Sequence, residues 1–278
     1  PHGHPMVVDE FEQCRDWFHL GEGNLFTYNM GLAAPDDDLV VERAARFADM
    51  YLGDSDLDNY DPEKRLVRAP MNGSAGPEYC DLSAFGAQST FGGYGADYRW
   101  ASHGLPWRDL EFDSAADLLD PENEKRLYEV FDERCSRGDV PMNLAISSLM
   151  ANAYLHTGDE EYREWVTEYV DAWRDRVERN DGIVPDNVGL SGEIGEYTDG
   201  KWYGGLYGWS WGGWHYVGLG TTTAAENATL LTGERDHLDF HRSQLDALIE
   251  RGIERGDTLH VPHKYGGEGD YHYNGSGL

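Results

Sequence analysis

From Asn143 to Asp186 the chain reads NLAISSLMANAYLHTGDEEYREWVTEYVDAWRDRVERNDGIVPD. Its first half is apolar on nearly every side, with Leu144, Ile146, Leu149, Met150, Ala153 and Tyr154, as in a buried helix. Pro141 stands where a first-turn proline is tolerated. The second half repeats Tyr162, Trp165, Tyr169, Trp173 and Val177 at helical spacing, with Glu and Arg on the other side. LHTGD separates the halves, and Asp181-Gly182 ends the second. The pattern predicts helices over Asn143–Leu155 and Glu160–Arg179.

The same rhythm returns between Gly220 and Gly252, where LTGE (Leu231–Glu234) matches LHTGD. It predicts helices near Gly218–Leu231 and over His237–Arg251. A weaker copy runs from Asn24 to Leu52, with APDDD at the turn. Another helix is expected between Asp113 and Gly138, with Leu118, Leu127, Val130 and Phe131 as its core face. The copies are diverged and far apart, so they predict an array of helical hairpins rather than a strict solenoid. Two long inserts interrupt the array within one domain over residues 1–278. Residues 53–112 are rich in Gly, Pro, Asp and Ser, with short strands expected around Arg65–Arg68. Residues 182–214 form an aromatic loop.

A helix, a TGD-type turn, a second helix and then NDGIVPD resembles the (α/α) toroid carbohydrate-active enzymes: glycoside hydrolases, polysaccharide lyases and sugar epimerases. The matching pieces are Leu155–Asp159, Asn180–Asp186 and Leu231–Glu234, and they span about half the chain. The resemblance implies an all-α, toroid-like fold in which loops carry aromatic and acidic residues to a central cleft. A closed ring needs more hairpins than are readable here, which implies an incomplete ring or a piece of a longer chain.

The loop from Asp186 to Tyr216, DNVGLSGEIGEYTDGKWYGGLYGWSWGGWHY, concentrates the candidate chemistry. Aromatic faces with polar edges suit the C–H face and hydroxyl rim of a sugar ring. Trp202, Tyr203, Tyr207, Trp209 and Trp211 are the candidate stacking residues. Glycosidic cleavage needs one protonated and one ionised carboxyl group on opposite sides of the bond. Glu193, Glu196 and Asp186 are the candidates on the loop, with Glu22 and His19 from WFHLGEGNLFTY on the opposite wall. A lyase would instead abstract a proton beside a uronate carboxylate with His or Tyr and neutralise that carboxylate with Arg or Asn. His19, His103, His215, Tyr203, Asn72, Arg68 and Arg99 are the residues of that reading, with Arg99 and His103 also placed as substrate contacts. A non-catalytic glycan-binding module, a sugar isomerase and a terpenoid-processing enzyme are the further alternatives.

Composition narrows the partners. The net charge is −30, from 52 acidic and 22 basic residues. Such a surface repels nucleic acid and anionic membranes. No run approaches the length of a membrane helix. PHGHPMVVDEFEQ has neither the basic nor the apolar region of a signal peptide, so a cytoplasmic location is expected. No phosphate-binding loop and no nucleophile elbow occurs, and no organic cofactor is expected. His260, His263, Glu268, Asp270 and His272 are ligand types without a zinc spacing, so no metal site is assigned.

Lys64, Lys125, Lys201 and Lys264 are the only lysines. A Lys-poor acidic surface fits a high-salt interior, where ions screen self-repulsion. The melting temperature is therefore expected to rise with added KCl as the Debye length shrinks from about 10 Å at 0.1 M to about 3 Å at 1 M. A midpoint that is flat or lower in molar salt contradicts this.

Overall fold

The computed structural model describes residues 17–74, 76, 77, 79, 117, 120–210, 212–266 and 270–273, with some side chains of the helices 17–33 and 121–135 left out. Three helical hairpins form the frame. They are α1 (Trp17–Ala33) with α2 (Asp38–Asp49), α4 (Ile146–Thr157) with α5 (Glu160–Arg179), and α6 (Trp214–Thr232) with α7 (Leu238–Glu250). Helix α3 (Pro121–Cys135) precedes a 3₁₀ turn, Pro141–Ala145, that leads into α4. Helix α4 packs against α2 and α6, and the 3₁₀ turn lies against α6.

The repeated turn has one physical explanation. Thr157 Oγ1 donates to Ala153 O at 2.8 Å and accepts from Asp159 N–H at 3.1 Å. Thr232 Oγ1 does the same with Ala228 O and Glu234 N–H, at 2.8 and 3.1 Å. Between them Gly158 and Gly233 take left-handed conformations, φ 71° and 77°, which close each helix without the Cβ penalty. Asp159 then caps α5 by accepting Glu161 N–H, as Asp37 caps α2 and Asp120 caps α3.

The all-α, toroid-like expectation is corrected by three two-stranded antiparallel sheets. These are β1 (Tyr60–Asp61) with β2 (Leu66–Val67), β3 (Ile253–Arg255) with β4 (Thr258–His260), and β5 (Pro262–Gly266) with β6 (Asp270–Tyr273). The described chain is therefore a mixed fold. Hairpins this short carry too little periodicity to register beside long helical patterns. No helix among the described residues is long and apolar enough to cross a membrane.

The core centres on α5. Trp165, Tyr169 and Trp173 are buried, and Trp165 packs on Tyr60 and Tyr169 with ring centroids 5.0 and 4.6 Å apart. A polar network runs through this core. Asp139, fully buried, accepts from Tyr169 Oη at 2.9 Å, Asn143 Nδ2 at 3.1 Å and Val67 N–H at 3.1 Å, and pairs with Arg176 at 3.4 Å. Arg176 also donates to the carbonyls of Lys64 and Arg65 at 3.1 and 2.8 Å. Asn72 extends the network, accepting from Trp17 Nε1 at 2.8 Å and Tyr51 Oη at 2.5 Å. One network thus ties α1, α5, the β1–β2 hairpin and the 3₁₀ turn together.

Candidate functional site: the anchored aromatic loop

After α5 the chain turns through Asp181 and Gly182, with φ 52° and 80°. Gln244 on α7 clamps the exit, accepting Val184 N–H at 3.0 Å and donating to Gly182 O at 3.0 Å. Asp139 and Val188 exchange backbone hydrogen bonds at 2.8 and 2.9 Å, joining the loop to the core network.

Asp186 is the anchor of the loop. It is fully buried, and its carboxylate accepts the backbone N–H groups of Gly204 at 3.1 Å, Ser210 at 3.0 Å and Trp209. Its own N–H donates to Trp202 O at 2.8 Å. A Cβ on Gly205 would lie 2.6 Å from Asp186 O, and one on Gly208 would meet the Asp186 carboxylate. These glycines let the loop close around the anchor. Burial pushes the Asp186 carboxyl up to about 6, while the three N–H donors hold it down. With its oxygens engaged by these backbone groups, the carboxylate holds the loop in shape.

The rings of the loop divide into two sets. Trp209 and Tyr207 are buried, and Trp209 Nε1 donates to Val184 O at 3.0 Å. They support the loop from below. Trp202 and Tyr203 remain half-buried. Trp202 stacks on Tyr265 with centroids 4.5 Å apart and planes 28° apart, and Tyr203 meets Tyr265 edge-on at 4.9 Å. Tyr265 meets Tyr271 edge-on at 4.5 Å across the β5–β6 pair. Tyr265 N–H donates to Trp209 O at 3.2 Å, which stitches this hairpin to the loop. Lys264 sits beside the cluster, its amine held below its usual range by burial and partly restored by the Asp186 charge.

Glu193 and Glu196 lie on an exposed turn of the same loop. Glu196 Oε2 accepts Ser191 N–H at 2.9 Å and Ser191 Oγ at 2.6 Å, while Glu193 N–H donates to Ser191 Oγ at 3.3 Å. His215 is exposed in the first turn of α6. His19 and Glu22 fall within α1, and their side chains lie outside the described residues. Trp211, Arg99 and His103 also lie outside them. Arg68 pairs with Asp58 at 3.1 Å and Asp61 at 3.4 Å, and Asn72 is committed to the core network. Among the described residues no group of three or more His, Cys, Asp or Glu is placed to hold a metal ion.

Residues 1–278 match the family described as Domain of unknown function (DUF8034). The chain belongs to that family. No curated protein and no solved structure matches it. In this DUF8034 member the ring cluster includes two residues that sequence reading did not place there, Tyr265 and Tyr271. The signal present in the sequence is the Tyr alternation in HKYGGEGDYHY, a strand-like pattern interleaved with metal-ligand residue types.

Proposed function

We propose that Trp202, Tyr203, Tyr265 and Tyr271 form the sugar-stacking surface of a carbohydrate-active protein. One observation carries this reading. Four half-buried rings are locked against one another on a loop and a hairpin fixed to each other and to a buried carboxylate. Rings held rigid before a ligand arrives lose little entropy on stacking, and their polar edges suit a hydroxyl rim. The reaction we assign is glycosidic hydrolysis, with Glu193 or Glu196 as one of its two carboxyl groups. A binding module without turnover is the second reading, favoured by the engagement of Glu196 with Ser191.

Titration with neutral and uronate-containing oligosaccharides, followed by tryptophan fluorescence and by release of reducing ends, separates these readings. Trp202→Ala is expected to weaken binding about tenfold or more with little change in melting. On a cleaved substrate, Glu193→Gln or Glu196→Gln is expected to lower turnover by roughly 10²–10⁴-fold, as loss of a general acid or base does. Binding that survives in both Gln variants, without turnover in the parent protein, selects the module. A Trp202→Ala variant that binds every sugar as the parent does removes the proposal.

A further inference from the structure

A cleft of about 560 Å³ opens between the β1–β2 turn and the C-terminal half of α5, with Gly192 of the aromatic loop at its edge. Its position links it to the rings. Glu193 follows Gly192, and Gly192 and Gly195 are separated by at most about 11 Å of chain. Gly195 lies against the backbone of Gly200 and Lys201, where an added Cβ would be 2.6 Å from Lys201 O. Gly200 N–H donates to Gly195 O at 3.0 Å, and Trp202 comes next after Lys201. The exposed turn that carries Glu193 and Glu196 therefore stands between the cleft and the ring cluster.

The walls of the cleft carry charges of both signs. Lys64, Arg65, Arg176 and Arg179 supply the positive groups. Glu63, Asp175 and Glu178 supply the negative ones. Much of this wall is fixed in advance. Arg176 is buried and donates to the carbonyls of Lys64 and Arg65, which holds the turn against α5. Lys64 Nζ pairs with Asp61 at 3.0 Å and Arg65 with Glu168 at 3.4 Å, while both side chains stay partly open to solvent. An ammonium has three donors and a guanidinium five, so each keeps donors beyond its ion pair. Asp175, Glu178 and Arg179 are exposed on α5, facing the same space.

We propose that this cleft is a second sugar-binding subsite, and that the ligand is an uncharged glycan chain running from the Trp202 platform past the Glu193 turn into it. This subsite rests on the sugar-stacking reading and adds the length and charge of the glycan. A hydroxyl group both donates and accepts, so carboxylates and cationic donors in one cleft match a hydroxyl-rich ligand. A fixed charge of either sign on the ligand would meet like charge there. The volume lies within the range of about 300–1,000 Å³ usual for small-molecule sites. The two subsites divide the work: rings take the C–H face of one unit, and the cleft takes the hydroxyls of units further along. Two contacts on one chain reinforce each other through effective concentration.

Calorimetric titration of the full chain with neutral oligosaccharides of two and six units, from the cello-, xylo- and malto- series, tests this. At least one series is expected to bind, its hexamer at least about tenfold more tightly than its dimer. Asp175→Ala combined with Arg179→Ala should lower hexamer affinity at least about fivefold, toward that of the dimer, and leave dimer binding unchanged. Both positions are exposed, so the double variant should melt within about 2 °C of the parent. Arg179→Ala alone should show part of the same loss. Trp202→Ala should weaken dimer and hexamer alike. Hexagalacturonate and the chitosan hexamer, of negative and positive charge, should bind at least about tenfold more weakly than the neutral hexamer. A hexamer bound no more tightly than its dimer, or undiminished in the double variant, overturns the second subsite and leaves the sugar-stacking reading standing. A charged hexamer bound as tightly as the neutral one overturns the assigned neutrality. A parent chain that binds none of these oligosaccharides overturns both readings.

Discussion

Asp186→Ala is expected to destabilise the fold by roughly 3–5 kcal/mol, equivalent to about 6–15 °C in Tm. The carboxylate is the common acceptor for the N–H groups of Gly204, Trp209 and Ser210. Alanine leaves the buried N–H groups of Trp209 and Ser210 without their acceptor, while Gly204 N–H keeps Ser210 Oγ at 2.8 Å. Asp186→Asn keeps the shape and one acceptor oxygen but points an amide N–H₂ at backbone donors, so an intermediate loss is expected. The ring cluster should loosen with the anchor, because the lost carboxylate is what holds Gly204, next in the chain to Tyr203, and Trp209, whose carbonyl carries Tyr265 N–H. Thermal melting and the aromatic circular dichroism signal read both effects. An alanine variant melting within about 2 °C of the parent would show that the anchor is dispensable.

Arg176→Met is expected to cost roughly 3–5 kcal/mol at pH 8, and less at pH 5. Arg176 is the strongest influence holding down the Asp139 carboxyl, which burial pushes up to about 6. Without the guanidinium, a buried carboxylate stands uncompensated, and two carbonyl oxygens of the β1–β2 turn lose their donor. The sign of the pH effect follows from proton uptake. The folded carboxyl binds its proton up to about pH 6, whereas an unfolded Asp releases it near pH 4. Between those values the folded chain holds more protons, so this group adds stability as pH falls from about 7 toward 4. Asp186 acts in the same direction. Removing Arg176 extends the window upward, so the variant should recover more of its lost Tm on acidification than the parent gains. A deficit equal at pH 5 and pH 8 would falsify the role of the Asp139–Arg176 pair.

The helical hairpins were legible because their signals are local. A helix period, a threonine–glycine–acid turn and an aspartate cap are each complete within a few residues, and the structure realises the turn at both Thr157–Asp159 and Thr232–Glu234 and the aspartate cap at the first. The short strands were less so, since two to five residues hold too little alternation to stand out.

Within the aromatic loop, sequence alone determined that rings, glycines and carboxylates occur together. It did not determine which rings face inward. Trp202 and Trp209 look alike in sequence, yet Trp209 is buried with its indole N–H on Val184 O, while Trp202 is half-buried and stacked on Tyr265. That division depends on Asp186 gathering backbone donors from 18 to 24 residues downstream and on the β5–β6 hairpin arriving from the far end of the chain. The same holds for the acids. Asp186, Glu193 and Glu196 are equal candidates as letters, but burial and three N–H donors make the first an anchor, while the other two stay on an exposed turn. The sequence determined the hairpins and the stock of reactive groups, because these rest on neighbours along the chain. The tertiary structure decided which groups are buried or exposed, because desolvation and hydrogen bonding are set by residues distant in sequence.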